Sequence, residues 1–345
     1  MQALILVGGK GTRLRPLTHT IPKPVLPLVD RPFIGFMIEW LARHGVDEIV
    51  LACGSLPDKL REVLGDGGDG GPRLTYVEEP DRRGTAGAIK FAEEHLQDRF
   101  LALNGDVLTD LDLTALIRFH EERGAQATLG LYPVEDPSGY GLVSTDPERR
   151  IREFTEKPGP GHAGAGEINA GLYVLERSVL EQIPAGREIS IERELFPQLV
   201  GHGLYGLRLD GYWMDIGTPD RYLQASWDIL EGNVETEVGK RLGGSDRLVV
   251  DGALLADDAD VAGPALVGPG VRIGAAATVG PRAVVMAGAE VGEGAEITSS
   301  VLLDGSVIGP GAVLFEAIIG PGAQVDAEAQ LGPGTVVAAG DTIPT

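Results

Sequence analysis

Up to about Gly232 the chain alternates apolar runs of strand length with amphipathic stretches of helix length. A largely parallel sheet flanked by helices leaves this pattern, so the first part reads as α/β. Strands are predicted at 3–7, 48–53, 74–77, 100–104, 126–132 and 171–175, and helices at 33–44, 85–97, 112–122 and 219–231. The last helix has a clear start: Thr218 can cap it, Pro219 suits its first position and Asp220 complements its dipole. Gly232 ends it.

From Val249 the pattern changes. An aliphatic residue recurs at every sixth position, at Val249, Leu255, Val261, Val267, Ile273, Val279, Val285, Val291, Ile297 and Leu303. After a slip near Asp304-Gly305 the series resumes at Ile308, and after a second slip it runs through Ile319, Val325, Leu331, Val337 and Ile343. Three hexapeptides make one triangular coil with the aliphatic side chain inside and small residues at the corners. The expectation is a left-handed parallel β-helix of roughly five coils. A Gly/Ala linker would not hold an aliphatic residue in register for so long. The predicted domains are therefore 1–232, a linker at 233–248, and the β-helix at 249–345.

Composition narrows the function. The formal charge of −22 repels nucleic-acid backbones and anionic membranes, so a polyanionic ligand must be met by local cations or metal. Cys53 is the sole cysteine, which excludes an intrachain disulfide and a multi-cysteine metal site; its bland reading is a small buried hydrophobe at a strand end. No segment is long and apolar enough to span a bilayer, and the expected setting is cytoplasmic.

Gly8-Gly9-Lys10-Gly11-Thr12-Arg13 follows the first strand directly. It has neither the spacing of a Walker P-loop nor the third glycine of a dinucleotide fingerprint. A strand-to-helix loop of this kind lets backbone amides approach phosphate, although a plain tight turn would look the same. Its continuation, Leu14-Arg15-Pro16-Leu17-Thr18 and then Pro22-Lys23-Pro24, closely resembles the signature of the sugar-1-phosphate nucleotidyltransferase family. Further matches follow in order: Gly84-Thr85-Ala86-Gly87, Asn104-Gly105-Asp106, Glu156-Lys157-Pro158, Asn169-Ala170-Gly171 and Trp213-Met214-Asp215-Ile216-Gly217. Pro22-Lys23-Pro24, Glu78-Glu79-Pro80 and the run from Tyr212 look most like the mannose-1-phosphate guanylyltransferases.

The resemblance implies a Rossmann-like catalytic domain in which an oxygen of a sugar 1-phosphate attacks the α-phosphorus of a nucleoside triphosphate and pyrophosphate leaves. Both reactants are anions, so the chemistry is mostly neutralisation, alignment and stabilisation of the leaving charge. By the same resemblance Gly8, Gly9, Gly11, Thr12, Arg13 and Lys23 hold the triphosphate, with Lys23 near the α-phosphate and Arg13 toward pyrophosphate. Leu6, Gly8, Glu79, Gly84, Thr85 and Gly105 are implied on the nucleotide side. Gly141, Glu156, Asn169 and Gly171 are implied for the sugar, and Lys157 for its phosphate. Asp106 and Asp215 are the expected Mg2+ ligands, since Mg2+ takes one or two carboxylates together with phosphate oxygens. One departure stands out: Asp81-Arg82-Arg83 occupies a place where the family has a single apolar residue. Those arginines could alter substrate choice or only extend a solvated loop.

Two other functions share parts of this pattern. Regulatory subunits with this architecture bind nucleotide sugars without chemistry, but Arg13, Lys23, Asp106, Lys157 and Asp215 are all present here. An acetyltransferase β-helix commonly uses a histidine base, whereas His19, His44, His95, His120, His162 and His202 all precede the repeat. Glucose-1-phosphate thymidylyltransferase, and a guanylyltransferase for an unusual sugar or cyclitol phosphate, remain as alternatives. The β-helix is expected to assemble a homo-oligomer.

Overall fold

A computed structural model describes residues 1–9, 11–54, 57–68, 70–159, 164–243 and 246–345. Lys10, His162 and two residues of the expected linker, Gly244 and Ser245, lie outside the described residues. The chain folds as two compact units, one of Met1–Gly9 with Met37–Trp213 and one of Lys10–Phe36 with Met214–Thr345.

The first unit is built on a nine-stranded sheet. Gln2–Leu6 lies at its centre, parallel to Glu48–Cys53 on one side and to Arg99–Asn104 on the other, and Arg73–Glu78 extends the parallel set. Beyond Arg99–Asn104 the long strand Gly166–Glu176 runs antiparallel and also pairs with Ala127–Val134 and Gly141–Thr145. Apolar residues in these strands face a core that includes Leu4, Val50, Phe100, Leu129 and Tyr173, all of them buried. Cys53 is buried there as well, and burial pushes its thiol up to about 12.

Strand predictions match to within two residues, except that the strand expected at 171–175 begins at Gly166, and one helix is shorter. Helix Gly84–Phe91 stops well before 97 and is followed by a single tight turn at Glu93–His95. Beyond that turn the Gln2 side-chain amide donates to the His95 carbonyl at 2.8 Å and accepts from the Gln97 amide at 2.9 Å. Those bonds take backbone groups that a continuing helix would use.

His120 is fully buried on helix Leu113–Arg123. One ring nitrogen meets Thr128 Oγ1 at 2.9 Å and the other meets Glu176 Oε1 at 3.0 Å, while Arg99 Nε donates to the same carboxylate at 2.6 Å. Burial pushes the imidazole below its usual range against the pull of Glu176, and the Arg99 charge adds to the fall. As pH drops from the ordinary histidine range, the unfolded chain binds a proton that the folded chain refuses, so stability falls with pH. Thermal melting should therefore weaken from pH 7 toward 5.5. His120→Gln should flatten that limb while costing about 1–2 kcal/mol above pH 7. Parallel melting curves for the two proteins would refute this.

In the second unit, residues from Arg247 to Ile343 form three parallel sheets of six, six and five short strands. This is the β-helix. Val267, Val285, Leu302, Ile319 and Val337 stack on one face, and Ile273, Val291, Ile308, Val325 and Ile343 on the next. The interior residue is thus Leu302, not the expected Leu303. The register shortens at the corner Ser299-Ser300 rather than near Asp304: Ser299 turns with φ 50°, and Ser300 Oγ, bonded to the Thr298 carbonyl at 2.8 Å, accepts from the Ala317 amide at 3.1 Å. The stretch 233–248 holds a helix, Glu237–Leu242, and begins the first coil.

Candidate active site

Parallel strands in the first unit end on one edge, and their carboxyl ends bring several expected residues together. Val7 N donates to Ala52 O at 3.0 Å, Gly105 N to Leu6 O at 3.0 Å and Glu79 N to Cys53 O at 3.1 Å. Leu6, Gly8, Glu79, Gly105 and Asp106 therefore follow neighbouring strand ends. Gly105 admits no side chain, since a Cβ there would lie 2.7 Å from Leu6 O. Gly8 and Gly9 are exposed at the end of this unit's first segment, and Asp106 is half-buried. Burial raises the Glu79 carboxyl above its usual range, and the Arg83 charge opposes the rise.

Gly84 opens its helix with φ 66°, a backbone state that suits glycine, and a Cβ there would meet Ile189 O at 2.5 Å. Thr85 Oγ1 donates to Glu192 Oε2 at 2.9 Å. The two arginines of the departure behave differently. Arg82 is exposed and ion-paired to Glu188 at 3.4 Å, whereas Arg83 lies over the Phe91 ring at 4.5 Å. Arg82 fits the solvated-loop reading; Arg83 is anchored.

The residues expected on the sugar side also gather within the first unit. Glu156 is the cross-strand partner of Gly141, and its carboxyl is raised by burial and by the neighbouring Glu192 charge against Lys157 and Arg193. Lys157 extends an exposed side chain from a backbone at φ 48°, with its amide bonded to Tyr140 O at 3.0 Å. A non-glycine residue in that region carries strain of the kind that clusters at functional sites. Asn169 Oδ1 accepts from the Gly171 amide at 3.0 Å, and its Nδ2 donates to Tyr173 Oη at 2.8 Å. Trp213 packs between Tyr132 and Tyr140 with ring centroids at 5.6 and 5.4 Å, and its indole donates to Ala170 O at 2.8 Å.

The remaining expected residues belong to the second unit. Gly11, at φ 58°, leads into a short turn at Thr12–Leu14, and Thr18 Oγ1 bonds back to Gly11 O at 2.8 Å. Lys23 starts a tight turn between its two prolines; it is buried, with its Cβ 3.0 Å from where a Gly11 side chain would stand. Arg13 Nη2 lies 3.8 Å from Asp215 Oδ2 and rests over Gly217. Arg221 Nη1 reaches the same carboxylate at 3.5 Å and the Asp215 carbonyl at 3.2 Å. Sequence reading missed Arg221, whose only signal is its place in the first turn after the Thr218 cap.

The nucleotidyl transferase family model matches residues 2–232. The chain belongs to the nucleotidyl transferase family. A second match, to the GMPPB C-terminal domain, covers residues 261–343. A mannose-1-phosphate guanylyltransferase of Mycobacterium tuberculosis is 40% identical over 260 residues, covering 74% of this chain and 72% of that one. A UTP–glucose-1-phosphate uridylyltransferase of Synechocystis is 39% identical over 68% of this chain and 65% of its own length. A mannose-1-phosphate guanyltransferase of Yarrowia lipolytica is 42% identical over 66% and 63%. The chain thus spans slightly under two thirds of the latter two relatives. Among solved structures, HddC from Yersinia pseudotuberculosis complexed with GMP-PN superposes with a TM-score of 0.56 at 29% identity, over 65% of this chain and 97% of that one. The coarse activity, nucleotidyl transfer to a sugar 1-phosphate, follows from the family.

Among the described residues no helix is long and apolar enough to cross a membrane. Nor do those residues hold a group of three or more His, Cys, Asp or Glu side chains placed as a metal cage.

Proposed function

We propose that this enzyme joins GTP to mannose 1-phosphate, giving the nucleotide sugar and pyrophosphate. The observation that carries the chemistry is the common edge where Gly8, Glu79, Gly105 and Asp106 follow neighbouring parallel strands. Guanosine and mannose rest on the relatives from Mycobacterium tuberculosis and Yarrowia lipolytica. The similarly placed uridylyltransferase of Synechocystis favours a second reading, UTP with glucose 1-phosphate.

In the proposed reaction an oxygen of the sugar phosphate forms a bond to the α-phosphorus as the bond to the bridging β-phosphate oxygen breaks, and pyrophosphate departs with that electron pair. Backbone amides of Gly8, Gly9 and Gly11, the Thr12 turn, Arg13 and Lys23 are assigned to the triphosphate. Lys157 is assigned to the sugar's phosphate, and Gly141, Glu156, Asn169 and Gly171 to its hydroxyls. Asp106 and Asp215 are the hard oxygen donors that would hold Mg2+, which when bound offsets the phosphate charge.

A matrix of four nucleoside triphosphates against mannose, glucose and galactose 1-phosphates, scored by pyrophosphate release, tests the assignment. GTP with mannose 1-phosphate should exceed every other pair in kcat/KM by about tenfold or more; highest activity with UTP and glucose 1-phosphate would replace the first reading by the second. Within the preferred pair, Lys157→Ala should raise KM for the sugar phosphate by about tenfold to a hundredfold. Lys23→Ala should instead lower kcat/KM for the triphosphate. Identical kinetic defects would overturn the separate roles.

A further inference from the structure

Residues Ile191–Leu195 wind as a single π-turn, a rare local geometry found often at functional sites. Its first acidic residue, Glu192, belongs to none of the sequence motifs, yet it joins two of them. One carboxylate oxygen, Oε2, accepts from Thr85 Oγ1 at 2.9 Å and from Ser190 Oγ at 2.7 Å. Thr85 Oγ1 in turn accepts from the Ile191 amide at 2.7 Å, and the Ala86 amide bonds to Ile189 O at 2.9 Å. The Gly84-Thr85 turn is therefore bound to the segment that carries Glu192.

Glu192 also acts by charge on its neighbours. It is the strongest charged neighbour of Glu156, which also faces Lys157 and Arg193. It is likewise the strongest charged neighbour of the buried Tyr173, whose hydroxyl takes a hydrogen bond from Asn169 and also feels Glu156 and Asp106. Two carboxylates thus stand near the residues assigned to the sugar.

We propose that Glu192 is a positioning and selectivity residue of the sugar-phosphate site: it fixes the Gly84-Thr85 turn and sets a second negative charge beside Glu156, so that neutral sugar 1-phosphates are accepted and sugars bearing a carboxylate are turned away. This rests on the function proposed above. Discrimination of this kind works by repulsion of the wrong ligand rather than by tighter contact with the right one.

The test compares the full-length parent with Glu192→Gln and Glu192→Asp. Glutamine keeps an oxygen for the two hydroxyls and removes the charge. With a neutral hexose 1-phosphate, the acid limb of kcat/KM should move to lower pH by about half a unit or more in Glu192→Gln, because Glu156 loses a like charge. Using the same substrate for each protein cancels the substrate's own titration. The kcat/KM ratio of a hexuronic acid 1-phosphate to its neutral hexose counterpart should rise about tenfold. Glu192→Asp, which keeps the charge, should retain the parent's limb and ratio even where kcat falls. A Glu192→Gln enzyme with the parent's limb and ratio overturns the inference, as does a folded Glu192→Asp enzyme that loses discrimination. A parent that releases no pyrophosphate with any sugar 1-phosphate overturns the proposed function itself, which separates the two failures.

Discussion

Asp106→Asn is expected to lower kcat by about a hundredfold or more at saturating Mg2+, while the melting temperature stays within about 2 °C of the parent. The amide has the shape of the carboxylate and none of its charge. Asp106 is only half-buried at a strand end, so the fold loses little packing. A metal ion bound through it would lose most of its attraction. Asp215→Asn should differ. That carboxylate already sits within 3.8 Å of Arg13 and 3.5 Å of Arg221, and neutralising it leaves two guanidinium groups facing each other without it. Turnover and melting temperature should fall together in that variant. Pyrophosphate release over a Mg2+ series, with thermal melts of each protein, checks both. An Asp106→Asn enzyme that turns over like the parent would remove the metal assignment.

The contrast between these two aspartates shows what the sequence made legible and what it did not. Both stand in motifs that specify chemistry, and strand prediction alone puts Asp106 just past an apolar run. Their surroundings come from residues far away in the chain, and no period or local spacing encodes those. Glu192 stays hidden because its partner Thr85 lies 107 residues away, and Arg221 because its six-residue reach back to Asp215 follows no helix or strand spacing. The repeat was legible because each coil repeats its own pattern, and it failed only where a corner lost one residue. At Ser299-Ser300 two polar residues replace the usual small apolar pair, so counting by six overran to Leu303. The repeat carries a second signal. Leu248-Val249, Leu266-Val267, Val284-Val285, Val301-Leu302, Ile318-Ile319 and Val336-Val337 are doubled aliphatics, one pair per coil. In a strand, adjacent side chains point to opposite faces. Where such a pair recurs in coil after coil, as the exposed pair Leu254-Leu255 does not, it marks a face covered from outside as well as inside.

That covered face changes the outcome expected of a truncation near residue 240. Every implied catalytic residue precedes Gly232, so the sequence by itself predicts that truncation disturbs assembly before chemistry. In the structure the outward residues Leu266, Val284, Val301 and Ile318 are 2%, 0%, 0% and 0% exposed, so the β-helix is packed on this side within the single chain. Helix Pro219–Leu230 makes part of that attachment. Trp227 Nε1 donates to Ser299 O at 3.2 Å, and Arg282 lies over the Trp227 ring at 5.5 Å while pairing with Glu231. Arg221, in the first turn of the same helix, holds Asp215. Arg13, Lys23 and Asp215 all belong to the compact unit that contains the repeat. A 1–240 chain should therefore lose activity and solubility together, with pyrophosphate release below about 1% of the parent. Truncation removes much that a single substitution would not, so Val284→Asp in the full chain is the sharper probe. A carboxylate placed on this buried face has no charged partner in the aliphatic row and should cost about 3 kcal/mol or more, against little for Val307→Asp on the exposed face. Thermal melts and turnover of the two variants decide the matter. A soluble 1–240 protein with the parent's turnover would show that residues 10–36 and 214–232 hold their chemistry without the β-helix.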